Sequence, residues 1–328
     1  MRPALRLLLL ALLVVGAVLL GIRLGAVPLG VGEIVDAVRG EGDPTTVAIV
    51  RQLRFPRAVL AALVGGSLAA SGATFQALLR NPLAEPYVLG VSGGAAVGAV
   101  TAVVLGSAAA GGATVSAAAF GGAVLAMALV LRIAASVGKT LDTRILLLAG
   151  VVVGAFFNAC ILLALTFADT ESFRSAIFWM MGSFSGASWR EIGALAMAAV
   201  PALAVLIALA RPLNLLSVGE ETAAYLGVRT ERVKLIAYGT ASLLTAASVA
   251  ASGVIGFVGL VIPHVVRMLW GADHRFLLPA SVLLGATFLV LADALARVAA
   301  APTELPIGVV TAFVGVPFFV WLLRRRAA

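Results

Sequence analysis

Residues 145–165 read Ile-Leu-Leu-Leu-Ala-Gly-Val-Val-Val-Gly-Ala-Phe-Phe-Asn-Ala-Cys-Ile-Leu-Leu-Ala-Leu, and no charged side chain interrupts them. A helix of about 20 apolar residues crosses the hydrocarbon core of a bilayer. Inside that core the backbone must satisfy its own hydrogen bonds, which leaves helices or a closed barrel. A barrel strand would alternate apolar and polar residues, and this stretch does not alternate. It reads as a transmembrane helix.

Working outward, the same pattern recurs. The predicted spans are roughly 5–22, 58–79, 87–107, 114–133, 145–168, 192–210, 233–251, 254–270, 276–296 and 306–323, about ten transmembrane helices. Span 254–270 is short, and Gly253, Gly256 and Gly259 recur in it every three residues, a spacing that lets helix backbones approach closely. The piece Ala176–Met181 is expected to pack outside the membrane or part-way into it. The stretch 23–57, with glycine, proline and four acids, is expected to be an outer loop. Arg2, Arg6 and Ala26 around the first span imitate a signal peptide, but so many spans follow that an uncleaved first helix is expected. The fold class is all-α and polytopic, with residues 1–328 forming a single transmembrane domain.

Composition agrees. Of 328 residues 62% are hydrophobic and 12% charged, against about 25% charged in a soluble domain. The net charge is +8, but the arginines are scattered between apolar runs, with no basic stripe interleaved with aromatics, so nucleic acid is not an expected partner. Membrane lipid is. Ten spans put both termini on one side. If that side is cytoplasmic it carries 15 of the 23 Lys and Arg residues and the other side 8, the asymmetry expected of a membrane protein oriented by its basic loops.

Enzyme chemistry is missing. The lone cysteine, Cys160, excludes an intramolecular disulfide and a multi-cysteine metal site. His264 and His274 lack metal-ligand spacing. Gly138-Lys139-Thr140 imitates the end of a phosphate-binding loop, but the glycine required five positions before Gly138 is Ile133. No cofactor is expected. Asp293 is the only acid inside a predicted span, and Arg297 lies one helical turn further on, at the spacing of an ion pair. An embedded proton or sodium relay would need ionisable groups near the centre of the spans. An ion-coupled secondary transporter of a small metabolite is kept as the alternative, because sodium sites can be built from backbone and hydroxyl oxygens alone. Asn81-Pro82-Leu83 looks superficially like an aquaporin box, without the second copy that such channels carry.

Against the charge rule, three outer arginines crowd into Arg51-Gln-Leu-Arg54-Phe-Pro-Arg57. Exposed at a helix mouth, they suit either an acidic protein partner or lipid phosphates, and the charge pattern does not choose.

Several segments together resemble the permease family of binding-protein-dependent ABC importers, the FecCD/vitamin B12 type that takes up iron siderophores, haem or cobalamin. They are Arg54-Phe-Pro-Arg57; Val64-Gly-Gly-Ser-Leu-Ala-Ala-Ser-Gly72; Gln76-Ala-Leu-Leu-Arg-Asn-Pro-Leu-Ala-Glu-Pro86; Leu89-Gly-Val-Ser-Gly-Gly94; Phe178-Trp-Met-Met-Gly-Ser183; Gly219-Glu-Glu-Thr-Ala-Ala-Tyr-Leu-Gly227; Gly256-Phe-Val-Gly-Leu-Val-Ile-Pro-His264; and Glu304-Leu-Pro-Ile-Gly-Val-Val310. They run in family order from residue 51 to the C-terminal end. The vitamin B12 permease is nearest at Phe178–Ser183 and Ala292–Val310.

The resemblance implies a type II ABC importer permease with ten helices and cytoplasmic termini in a prokaryotic inner membrane. Its partners would be a second permease subunit, in a homodimer, two cytoplasmic ATPase subunits and an extracytoplasmic substrate-binding protein. Arg54, Arg57 and Arg297 would receive acids of the binding protein, and such charge complementarity steers docking. The segment 211–232 would be a helix–turn–helix that couples to the ATPase, through Leu216, Gly219, Glu220, Glu221, Ala224, Leu226 and Gly227. Glu220 and Glu221 would also suit the start of a short helix, where the dipole favours negative charge. Asn81, Pro82, Leu83 and Thr143 would form the cytoplasmic gate. Asn158 and Thr166 would line the path, or else serve helix contacts. Transport would proceed by alternating access at the permease dimer interface, with ATP hydrolysed by the separate partner.

Overall fold

The computed structural model describes residues 3–25, 29–106, 112–137 and 141–327. Gly138-Lys139-Thr140, Arg2 and Ala26 lie outside them. The described residues form helices: α1 (Pro3–Arg23), α2 (Val31–Arg39), α3 (Pro44–Ala48), α4 (Phe55–Leu78), α5 (Val91–Val104), α6 (Gly112–Val137), α7 (Thr143–Thr166), α8 (Thr170–Met180), α9 (Trp189–Ala208), α10 (Ala210–Val218), α11 (Glu220–Tyr225), α12 (Thr230–Ser252), α13 (Val258–Trp270), α14 (His274–Val298) and α15 (Ile307–Ala327). No strand occurs among them. Seven helical stretches are long and apolar enough to cross a membrane, and α5, α13 and α15 are shorter apolar helices. Each predicted span coincides with one of these helices to within a few residues.

Within the stretch 23–57, residues 31–39 and 44–57 are helical where an irregular loop was expected. Gly30 and Asp43 precede α2 and α3, and the Asp43 carboxylate caps α3 by accepting from the Thr46 amide at 2.9 Å. That bond holds its carboxyl below the ordinary range. A π-helical turn, Ile49–Arg54, then runs directly into α4. Proline and acids, taken as loop markers, here start helices. Ala176 to Met180 belong to α8, with Met181 at its C-terminal cap, and α8 packs against α5.

α4 is the axis of the molecule, buried without a break from Val64 to Leu79. α14, α12, α13 and α9 pack around it, α1 covers α14, and α5 joins α6 and α7 to one side. Small residues permit this. A Cβ on Gly65 would meet the Gly285 carbonyl of α14, and one on Gly72 would meet the Gly259 backbone of α13. Of the three evenly spaced glycines only Gly259 is helical. Gly253 and Gly256 fall in the irregular link between α12 and α13, so the predicted span begins late, at Val258.

Buried polar groups are matched to backbone faults. Pro263 lacks an N–H, which frees the carbonyl four residues earlier, that of Gly259. The Gln76 side-chain amide donates to that carbonyl at 3.2 Å and to Leu260 O at 3.3 Å, while its oxygen accepts from Arg267 at 2.9 Å. Leaving a carbonyl unpaired in an apolar interior would cost about 1–3 kcal/mol. On the periphery the helices expose apolar side chains, among them Leu8, Leu12 and Leu19 of α1, Phe156 and Leu162 of α7, and Met197 and Val200 of α9. Such faces belong against lipid or another apolar subunit.

Candidate functional site

Charged and polar groups gather at the two ends of α4. Its 24 residues separate those ends by about 36 Å at 1.5 Å per residue.

At the N-terminal end lies an arginine–carboxylate network. Arg57 makes a forked contact with Asp293, Nη2 to Oδ1 at 2.9 Å and Nε to Oδ2 at 3.1 Å. It also reaches Glu304 at 2.9 Å. Arg297 completes the predicted ion pair with Asp293 at 3.2 Å. Asp293 is 3% exposed and Glu304 46%. The last turn of α1 leaves carbonyls without helical partners. Arg297 donates to Gly21 O at 2.7 Å and Leu24 O at 2.8 Å, and Arg54 to Ile22 O at 3.0 Å and Arg23 O at 3.2 Å.

This corrects the expected exposure of the arginines. Arg54 and Arg297 are buried, and Arg57 keeps only 12% of its side chain exposed. The physical reason is that two of them cap α1 while Arg57 neutralises an acid of α14. Neither an arginine run nor its spacing reveals partners that lie more than two hundred residues away in the chain. The more exposed arginine of the run is Arg51, which donates to Val38 O at 2.6 Å.

At the other end, α10 and α11 form the expected helix–turn–helix. Gly219 separates them in extended backbone, and Gly227 ends the motif with φ +82°. No atom crowds a Cβ at Gly227, so the backbone angle and not the space requires glycine. Leu216 is buried beside Leu213, so it anchors α10 and faces no partner, another correction. Ala223 is buried and Ala224 faces outward. The tip presents Val218, Tyr225 (91% exposed) and Leu226 (62% exposed). Asn214 pins α10 to the start of α14, donating to Asp273 at 2.7 Å and accepting from the His274 amide at 2.8 Å. The Asn214 contact, with the Arg275 amide, keeps the Asp273 carboxyl below the ordinary range.

The predicted gate lies at this same end. α4 stops at Leu78, Arg80 turns with φ +48°, and Asn81 Oδ1 accepts from the Leu83 amide at 2.9 Å. Pro82 thus sits in a turn closed by the Asn81 side chain. Thr143 opens α7 and is buried, after Asp142, which caps the helix through the Arg144 amide at 2.7 Å. A polar cleft of about 430 Å³ brings Arg80, Thr143 and Arg144 together with Gly219, Glu220, Glu221 and Thr222. Thr143, predicted for the gate, and Gly219, Glu220 and Glu221, predicted for the coupling segment, therefore line the same cleft. Glu85, just beyond the Asn81–Leu83 turn, accepts from the Phe257 amide at 2.5 Å and ties the turn to the α12–α13 link.

Asn158 and Thr166 are both exposed on α7, and the Thr166 hydroxyl donates back to Leu163 O at 2.6 Å. Asn158 shares an exposed apolar face of α7 with Val151 and Leu162. No cluster of three or more metal-ligating side chains occurs among the described residues. A second cavity of about 570 Å³, between Met180, Met181, Phe257 and α15, is walled by apolar side chains and backbone. Sequence reasoning missed Asn214, Glu231, Lys234 and Glu304, whose partners are distant in the chain or lie across a turn.

Residues 11–325 match the model of the FecCD transport family. The chain is 47% identical over 286 residues to the cobalamin import system permease protein BtuC of Halobacterium salinarum, covering 87% of this chain and 76% of that one. It is 42% identical over 318 residues to the vitamin B12 import system permease protein BtuC of Salmonella typhimurium, covering 97% and 94%. Among solved structures, an inward-facing conformation of a metal-chelate type ABC transporter superposes with a TM-score of 0.88 at 33% identity, covering 97% of this chain and 98% of that one.

Proposed function

The chain belongs to the FecCD transport family, and we propose that it is the permease subunit of an ATP-driven importer whose cargo is vitamin B12. The observation that carries the reading is the helix–turn–helix at 210–227, which exposes Val218, Tyr225 and Leu226 and whose Gly219, Glu220, Glu221 and Thr222 share a polar cleft with Thr143. A permease driven by a separate ATPase needs an apolar handle for that partner, mechanically close to the exit of the path. The names of the two relatives favour cobalamin over iron siderophores and haem.

In this reading two copies of the chain pair in a prokaryotic cell membrane, with both termini cytoplasmic. Asn158 and Thr166 line the path between them, which accounts for a polar amide on an otherwise apolar helix face. ATP binding closes two ATPase subunits beneath the pair, and the segments around Gly219–Gly227 carry that motion upward. The turn Asn81-Pro82-Leu83 and Thr143 close the cytoplasmic exit. An extracytoplasmic binding protein docks at the arginine end. There its carboxylates meet Arg57 by displacing Glu304, the solvent-facing acid of the network, while Arg54 and Arg297 hold the surface in shape.

A carboxylate-based ion relay is disfavoured, because the one acid inside a predicted span, Asp293, is neutralised by two arginines, and the alternative then rests on backbone and hydroxyl oxygens alone. The test is uptake by cells with and without the gene, offered labelled cobalamin, ferric siderophores and haem in turn. Selective loss of cobalamin uptake is expected. Loss of iron uptake alone would reassign the cargo, and uptake by the isolated chain under an ion gradient would overturn the importer reading.

A further inference from the structure

Lys234 lies in the first turns of α12, with a side chain only 3% exposed. A buried ammonium is tolerated when its protons are matched by acceptors. Here the three protons have three acceptors. Nζ is 2.8 Å from Glu220 Oε2, 2.6 Å from Glu231 Oε1 and 2.6 Å from the Leu141 carbonyl. Glu231 also accepts from the Leu141 amide at 2.8 Å. The pair Glu231–Lys234 therefore grips Leu141 by both its N–H and its C=O.

These contacts join three segments far apart in the chain. Glu220 is the first residue of α11, in the coupling segment. Leu141 stands two residues before Thr143, where α7 begins. Lys234 belongs to a helix that packs along α4, α6 and α9. We propose that Lys234 is the positioning residue that links the coupling segment to α7, so that displacement of α11 moves the start of that helix and with it the gate. This deepens the permease reading and rests on it.

The geometry favours a link over a mere clamp. α10 is separately anchored, by Asn214 to the start of α14. Glu220 is half-solvated, at 32% exposure, so its arm is the one that can lengthen or re-form as α11 moves. The Leu141 grip, made to backbone, is the arm that stays.

The test uses the whole transporter in proteoliposomes, permease with its ATPase and binding protein. It measures ATP hydrolysis and cargo moved per ATP. Lys234→Met should leave ATPase association and hydrolysis largely intact, and in both Lys234→Met and Glu220→Gln cargo per ATP should fall roughly twofold to thirtyfold, the range seen for couplings along such networks. Lys234→Arg should restore part of the loss. Glu220→Gln keeps the test valid if Lys234→Met fails to fold, since that residue is half-exposed. Hydrolysis and uptake falling in parallel with the amount of folded protein would overturn the link and leave a structural clamp. So would unchanged coupling in both variants. Gly227→Val is the control for the segment itself. If it uncouples while Glu220→Gln does not, only the role of Lys234 fails. If neither uncouples, the coupling reading fails with it.

Discussion

The two ends of α4 use side chains in opposite ways. At the arginine end the charges are consumed inside the chain. Arg54 and Arg297 cap α1, Arg57 and Asp293 neutralise each other, and Glu304 alone stands in water. At the coupling end an inner layer of charge, centred on Lys234, is likewise satisfied, but the tip leaves Val218, Tyr225 and Leu226 without a cover. The difference teaches that a conspicuous run of charge is not in itself a docking surface. In the proposed reading the arginine end is an internally closed network that a partner enters by exchange, and the coupling end is an apolar handle that a partner buries.

The sharpest way to break this comparison is Asp293→Ala. Removing one partner of a buried ion pair strands the other and costs about 3–5 kcal/mol. Here Arg297 is left with backbone carbonyls as its only acceptors and Arg57 with the half-exposed Glu304. Thermal unfolding in detergent should show a large fall in midpoint. A loss below about 1 kcal/mol, the scale of an exposed pair, would mean that the network is solvated and that the arginines are available to a partner after all.

The coupling end should behave in reverse. Tyr225→Ser combined with Leu226→Ser removes two exposed apolar side chains, and exposed substitutions usually alter stability by no more than about 0.5 kcal/mol. Truncating an anchor at the centre of an interface costs about 2 kcal/mol or more, close to thirtyfold in affinity. Co-purification with the ATPase should therefore fall sharply while the melting curve stays in place. A melting curve that moves while association survives would show that this surface stabilises the permease and does not hold the ATPase.

The sequence was most legible where one local rule sufficed. Uninterrupted apolar length located the spans, and the Gly219–Gly227 motif located a helix–turn–helix, because both signals are contained within a few turns of chain. Even the Asp293–Arg297 pair could be seen, since one helical turn connects its members. What could not be seen was long-range. Nothing local to Arg57 announces Asp293, and nothing near Leu141 announces Lys234. The expectation of exposed arginines failed at Arg54 and Arg57 for that reason, though it held at Arg51, and so did the reading of all of 23–57 as a loop. In the latter, Asp43 and Pro44 are punctuation that serves a helix start as well as a turn, and tertiary packing of Val50 and Ile34 decides for helix. Leu216 was named with its segment, and a motif does not show that its side chain is buried.

The smallest effect carries the most information about the arginine end. Glu304 is exposed enough that Glu304→Gln should change stability by about 1 kcal/mol or less. Its effect on binding-protein affinity, however, has a sign. If an incoming carboxylate must displace Glu304 from Arg57, the neutral amide is a weaker competitor. Affinity then rises by a few-fold and becomes more sensitive to salt, because more of the Arg57 charge is offered to the partner. If Glu304 instead serves as a contact in its own right, affinity falls. Binding measured at low and moderate ionic strength separates the two, and only the rise is compatible with docking by exchange into a closed network.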